Sequence, residues 1–161
     1  MSFLSLFRGA DSTDNLEDKL NEVLEKGAKN VVGFGLGYTD NKNKGGFLFT
    51  SESNENRPYK VKVFSAGSDD AIQEEANAWL RTQTKIEIID VSLCYATGKS
   101  RFMILYTTAN NSTGYTSLFL KDSNAGGMEK KVTQAADAAT QVWALGYTAG
   151  DGKHRVGMII T

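Results

Sequence analysis

Apolar residues in this chain recur with two rhythms. Leu16, Leu20, Val23 and Leu24 stand at i, i+4, i+7 and i+8, the spacing of one face of an amphipathic helix. The same set returns as Ile72, Ala76, Trp79, Leu80 and as Met128, Val132, Ala135, Ala136. Before each set lies a short strand signal ending in an aromatic: Ser5-Leu6-Phe7, Lys62-Val63-Phe64 and Ser117-Leu118-Phe119. After each comes a β-rich run with Leu-small-Tyr near its end: Leu36-Gly37-Tyr38, Leu93-Cys94-Tyr95 and Leu145-Gly146-Tyr147. A polar turn and a last apolar strand follow, ending at Thr50, Thr107 and Thr161. The intervals from phenylalanine to helix are 9, 8 and 9 residues, from phenylalanine to tyrosine 31, 31 and 28, and from tyrosine to threonine 12, 12 and 14. Such ordered agreement marks a threefold internal repeat.

Each unit reads strand, helix, strand, strand over about 50 to 55 residues, too few to bury a core alone, so the units should share one. The fold class expected is α+β: three tandem βαββ repeats with pseudo-threefold symmetry, nine mainly antiparallel strands and three helices. One domain spans 1–161, with repeats at about 1–51, 58–108 and 113–161, and the Ser-, Asn- and Thr-rich stretches between them read as connectors. A split βαβ order is expected, the third strand of each unit pairing with the first and second. The last strands are apolar on both faces, as in Phe47-Leu48-Phe49 and Met103-Ile104-Leu105-Tyr106, which places them centrally. Helices cover one face of each sheet, leaving the other for a neighbouring unit or another subunit. Helix starts are signalled by Asp14 with Glu17, a capping-box variant, and by Ser68, and Gly27 ends the first helix.

Composition narrows the function. At 161 residues and 17.5 kDa, with 40% apolar and 23% charged residues, the chain is globular rather than disordered. A formal charge of −1 gives no whole-molecule attraction for nucleic acid or an anionic membrane. The single cysteine, Cys94, has no internal disulfide partner. With no apolar run of about 18 residues and no signal-peptide pattern at the first residues, a cytoplasmic protein is expected, or a virion-associated one if it comes from a phage.

Candidate chemistry is sparse. The turns before the last strands carry basic pairs at i and i+2: Lys42 and Lys44, Lys99 and Arg101, Lys153 and Arg155. Around a pseudo-threefold axis these six and the repeat tyrosines Tyr38, Tyr95 and Tyr147 would gather to hold a small anion or an acidic partner. Soluble hairpin tips are the plainer reading. Trp143, on the large-residue face with Phe34 and Val91 as its counterparts, offers a stacking plane for a flat ligand, or a core side chain. Gly150-Asp151-Gly152-Lys153 lacks P-loop spacing and reads as a turn, and Gly33, Gly35 and Gly37 lie in a strand that continues through Tyr38. Cys94 and His154 form the one conceivable nucleophile and base pair, in different units, and Cys94 reads more simply as a small strand residue. Carboxylates such as Glu17, Asp18, Glu74, Glu75 and Glu129 read as solvated helix faces, while Asp90 stands in a β-rich run. No catalytic residue and no metal site is assigned, and no cofactor is expected.

The middle unit, Tyr59 to Thr107, resembles the small sporulation-associated βαββ proteins of bacilli. The likeness is carried by Lys60-Val61-Lys62-Val63-Phe64, Asn77, Leu80, Ile89-Asp90-Val91 and Met103-Ile104-Leu105-Tyr106, under a third of the chain. It implies the strand-helix-strand-strand order and no particular chemistry. In architecture the unit is also similar to dodecins, ring-forming βαββ proteins that bind flavin with a tryptophan on the second strand, the strand on which Trp143 falls. The leading expectation is a non-enzymatic structural or protein-interaction module, as in a bacterial or phage assembly, with a protein partner or self-association. The alternatives are a binding protein for a small anionic or flat aromatic ligand, then a thiol-dependent enzyme.

Overall fold

The computed structural model describes residues 2–27, 30–50 and 58–161; the first expected connector, Ser51 to Arg57, lies outside them. The elements run β1 (Phe3–Ala10), α1 (Thr13–Gly27), β2 (Asn30–Thr39), β3 (Lys42–Thr50), β4 (Lys60–Ala66), α2 (Asp69–Thr82), β5 (Ile86–Ala96), β6 (Lys99–Thr108), β7 (Thr116–Asp122), α3 (Ala125–Ala138), β8 (Val142–Gly150) and β9 (Lys153–Ile160). The strands make three antiparallel sheets, ordered β1-β3-β2, β4-β6-β5 and β7-β9-β8. The chain is therefore an α+β protein of three tandem βαββ units, with the third strand of each unit central as expected. In β6 this buries Phe102, Met103 and Ile104 completely, because neighbours cover both faces of the strand.

Local chemistry repeats with the fold. The helices are capped by Ser12, Ser68 and Asn124, whose side-chain oxygens accept from the backbone N–H of Asn15, Ala71 and Gly127. These caps stand 56 residues apart. Asp14, expected as the first cap, lies inside α1 because Ser12 already satisfies the helix end. The hairpin of each unit turns through two residues of positive φ, Asp40 and Asn41, Thr97 and Gly98, and Asp151 and Gly152, as a type I′ turn requires. Each second strand also bulges once, between Val31 and Gly33, Ile88 and Asp90, and Val142 and Ala144.

Counted from those turns, several repeat anchors move. Phe7, Val63 and Phe119 pair with Gly46, Met103 and Gly157, so Val63 rather than Phe64 is the counterpart in the middle unit, and the strand-to-helix interval becomes 9 throughout. In the third unit Trp143 sits at the bulge, matching Val32 and Ile89; Leu145 takes the place of Phe34 and Val91. Tyr147 matches Leu36 and Leu93, and Ala149 matches Tyr38 and Tyr95. The cause is that Leu145-Gly146-Tyr147 stands two residues further from its turn than Leu36-Gly37-Tyr38 and Leu93-Cys94-Tyr95 do from theirs. A slip of two leaves every side chain on the same face, so alternation does not reveal it.

The units stack with one polarity. Leu16, Leu20, Val23 and Leu24 of α1 share a cluster with Val61, Val63, Met103 and Leu105, which form the bare face of the second sheet. The other face of that sheet carries Phe64, Phe102 and Ile104 with Ile72 and Ala76 of α2, and it receives Tyr115, Phe119 and Ile159 of the third sheet. Among the described residues, Met128 of α3 clusters with its own unit's Val156 and Met158 and their neighbours alone. A closed threefold would need three such junctions. Two are formed, α1 against β4 and α2 against β7; among the described residues no comparable packing joins α3 to β1 or β8 to β2. The stack is open at the bare face of the first sheet and at the helix-bearing face of the third.

Candidate functional site

The polar groups with the most definite geometry lie at the two junctions. β4 and β7 are edge strands, whose outward N–H and C=O groups need partners once a neighbour covers them. Asn21 supplies both for Val61, donating from Nδ2 to the carbonyl at 3.1 Å and accepting from the N–H at 2.9 Å. One turn earlier Glu17 accepts from the Val63 N–H at 2.8 Å and from Lys62 Nζ at 3.1 Å. The second junction repeats this: Asn77 donates to the Ser117 carbonyl and accepts from its N–H at 2.6 Å, and Gln73 accepts from the Phe119 N–H at 2.8 Å. Glu17, read as part of a solvated face, is therefore a junction residue. The signal was present as Glu17 with Asn21 and Gln73 with Asn77, both at i, i+4 on the helix and 56 residues apart.

Asn77→Ala should lower the unfolding free energy by about 2–3 kcal/mol, since it orphans a backbone donor and a backbone acceptor in a covered strand. Urea denaturation measures this; a loss below about 0.5 kcal/mol would show that water replaces the amide freely.

The basic pairs divide into two kinds. Arg101 is buried, its guanidinium carbon 4.1 Å from the ring centre of Tyr38 in the preceding unit. Its Nε donates to Asn43 Oδ1, its Nη1 to the Ala96 carbonyl at 2.8 Å and its Nη2 to Thr97 Oγ1 at 3.3 Å. Arg155 repeats the arrangement, buried 3.6 Å from the Tyr95 ring and donating to the Gly150 carbonyl. Both pairs clasp one unit to the next by cation–π stacking, which gains strength where water is excluded. Lys42, Lys99 and Lys153 are exposed at the hairpin tips, Lys42 lying 4.0 Å from Asp11, and the Lys44 chain runs beside Gly9. The structure brings Tyr38 to Arg101 and Tyr95 to Arg155, and pairs exposed Tyr147 with His154 Nδ1 at 2.7 Å.

Cys94 is half-buried, and burial pushes its thiol above the usual range against the opposing effect of Arg101. That disfavours the nucleophilic thiolate. Asp90 is exposed and accepts from the Val91 N–H. Trp143 donates its indole N–H to Thr161 Oγ1 at 3.2 Å and stands edge-to-face with Tyr115, at 5.4 Å between ring centres. The two border a groove of about 800 Å³ that also reaches Glu87 and Asn110. A second groove, of about 420 Å³, runs between α3 and β8 along Met128, Val132, Leu145 and Tyr147. Among the described residues there is no cluster of three His, Cys, Asp or Glu suited to a metal, and no helix long and apolar enough to cross a membrane.

Comparison with protein-family models, with curated proteins and with solved structures gave no match. The fold and its junctions thus define a class by architecture alone, a serial stack of βαββ units.

Proposed function

We propose that the chain is a non-enzymatic structural or protein-interaction module. One observation carries this reading: among the described residues, all but one of the large apolar side chains left exposed collect at the two open ends of the stack, Leu4 of β1 being the exception. Phe3, Phe7, Val32 and Leu48 lie on the first sheet, and Val142, Leu145 and Tyr147 on the third. Apolar surface concentrated in this way supports protein contact over chance exposure. The polar groups best placed for chemistry, Arg101, Arg155, Glu17 and Asn77, are meanwhile engaged in joining unit to unit. Native mass spectrometry of freshly purified protein, with affinity capture from the source cells, tests the reading. It expects a mass equal to the bare chain or its multiples and a protein partner, which includes a second copy. A retained small molecule with no protein partner would overturn it.

The groove beside Trp143 and Tyr115 favours a second reading, a binding protein for a flat aromatic ligand. The six basic residues lie outside that groove, so an anionic ligand has less support there. Quenching of Trp143 fluorescence by flavins or nucleotides, lost in Tyr115→Ala, is the result this alternative expects.

A further inference from the structure

Within the chain one interface is used twice, and its two halves are left over at opposite ends. The inserting half is the first strand and bare face of a unit. In the second and third units its leading positions are Tyr59 and Val63, then Tyr115 and Phe119, and all four are 3–9% exposed. The counterparts in the first unit are Phe3 and Phe7, at 61% and 74%. The neighbouring central strand agrees: Leu105 and Ile159 are buried to 1% and 0%, but their counterpart Leu48 is 40% exposed. Aromatic and aliphatic character is thus kept at positions that none of the described residues covers.

The receiving half is a helix face with the second strand beside it. In the first two units it holds the next unit's edge strand; in the third it is the open groove of about 420 Å³ between α3 and β8. Met128 and Val132 there occupy the places of Leu16 and Leu20, both wholly buried in α1. Glu129 stands where Glu17 and Gln73 accept from an edge-strand N–H, and Thr133 replaces Asn21 and Asn77.

We infer that the groove between α3 and β8 receives β1 of a second copy of this chain, head to tail, continuing across two molecules the junction that joins the units within one. This rests on the reading of the chain as an interaction module and names its partner. Such a contact is heterologous: it gives a ring where the rotation closes and a fibre where it does not. It is weaker than the internal junctions, because the clasp is missing from both halves. Lys44 stands in place of Arg101 and Arg155, and Ala149 in place of Tyr38 and Tyr95. Association is therefore concentration-dependent.

Two variants separate head from tail: Phe7→Asp in the inserting half and Leu145→Asp in the receiving half, both at exposed positions. In light scattering across a concentration series, the wild type is expected to rise above 17.5 kDa, and each variant alone to stay at that mass. An equimolar mixture should regain a two-chain particle and stop there, since each partner's other end is blocked. A monomeric wild type, variants that associate as the wild type does, or a mixture that stays monomeric would overturn the proposal. Circular dichroism checks folding, and Phe3→Asp with Val132→Asp replaces any variant that fails it. If the chain is an interaction module for another protein only, affinity capture still succeeds while every sample here remains monomeric, so the two readings fail separately.

Discussion

Replacing Phe102 with alanine is expected to lower the unfolding free energy by about 3–5 kcal/mol, the range for truncating a wholly buried aromatic. Phe102 is 0% exposed in the middle of β6, with its ring 4.8 Å from Phe119 of the next unit in an edge-to-face contact. Gly157 explains why the two rings meet: a Cβ there would stand 3.0 Å from both, so a glycine in the central strand of the third unit leaves the space they fill. The cluster around Phe102 draws on α2, its own sheet and the third sheet, so the cavity is walled by elements that cannot all close upon it. Chemical denaturation of Phe102→Ala should show an earlier midpoint. A loss under about 1 kcal/mol would mean the second and third units do not share this core.

Arg101→Ala is expected to cost about 3 kcal/mol, as the buried acceptor Asn43 Oδ1 loses its donor, the half-buried Ala96 carbonyl keeps only the Thr97 hydroxyl among its side-chain donors, and the Tyr38 ring loses its cation. Arg101→Lys should recover less than half, because an ammonium keeps the charge without the planar fork that reaches four acceptors at once. Lys42→Ala is the control from the same set of basic turns. Its contact with Asp11 joins two exposed side chains at 4.0 Å, and such pairs are worth about 0–1 kcal/mol. Equal effects in the two alanine variants would contradict a clasp at Arg101.

The repeat, the helix faces and the central place of the third strands were legible because each leaves a local periodic mark. The apolar sets from Leu16, Ile72 and Met128 keep one spacing, and the turns at Asp40-Asn41, Thr97-Gly98 and Asp151-Gly152 show turn chemistry. Registration was not legible. Trp143 and Tyr147 read as counterparts of Phe34 and Tyr38, since a two-residue slip in a strand preserves every inside and outside assignment.

The basic residues show the same division from another side. Sequence placed Lys42, Lys99 and Lys153 beside Lys44, Arg101 and Arg155 as equal members of one set. Packing separated them, since each arginine side chain turns inward to the preceding unit's tyrosine while Lys42, Lys99 and Lys153 stay at the tips. Glu17 was misread for a related reason: its acceptor role depends on the Val63 N–H, 46 residues away, which no helical period reports.

By itself, then, the sequence determined three βαββ units and which residues line their faces, because helix and strand periods act over a few neighbouring residues. Tertiary structure alone decided that the units stack with one polarity, that arginine and asparagine join them, and that Phe7 stays bare while Val63 and Phe119 are covered. Those outcomes depend on contacts between equivalent residues in different units, and a repeat that makes residues alike in sequence cannot say which of them has a neighbour.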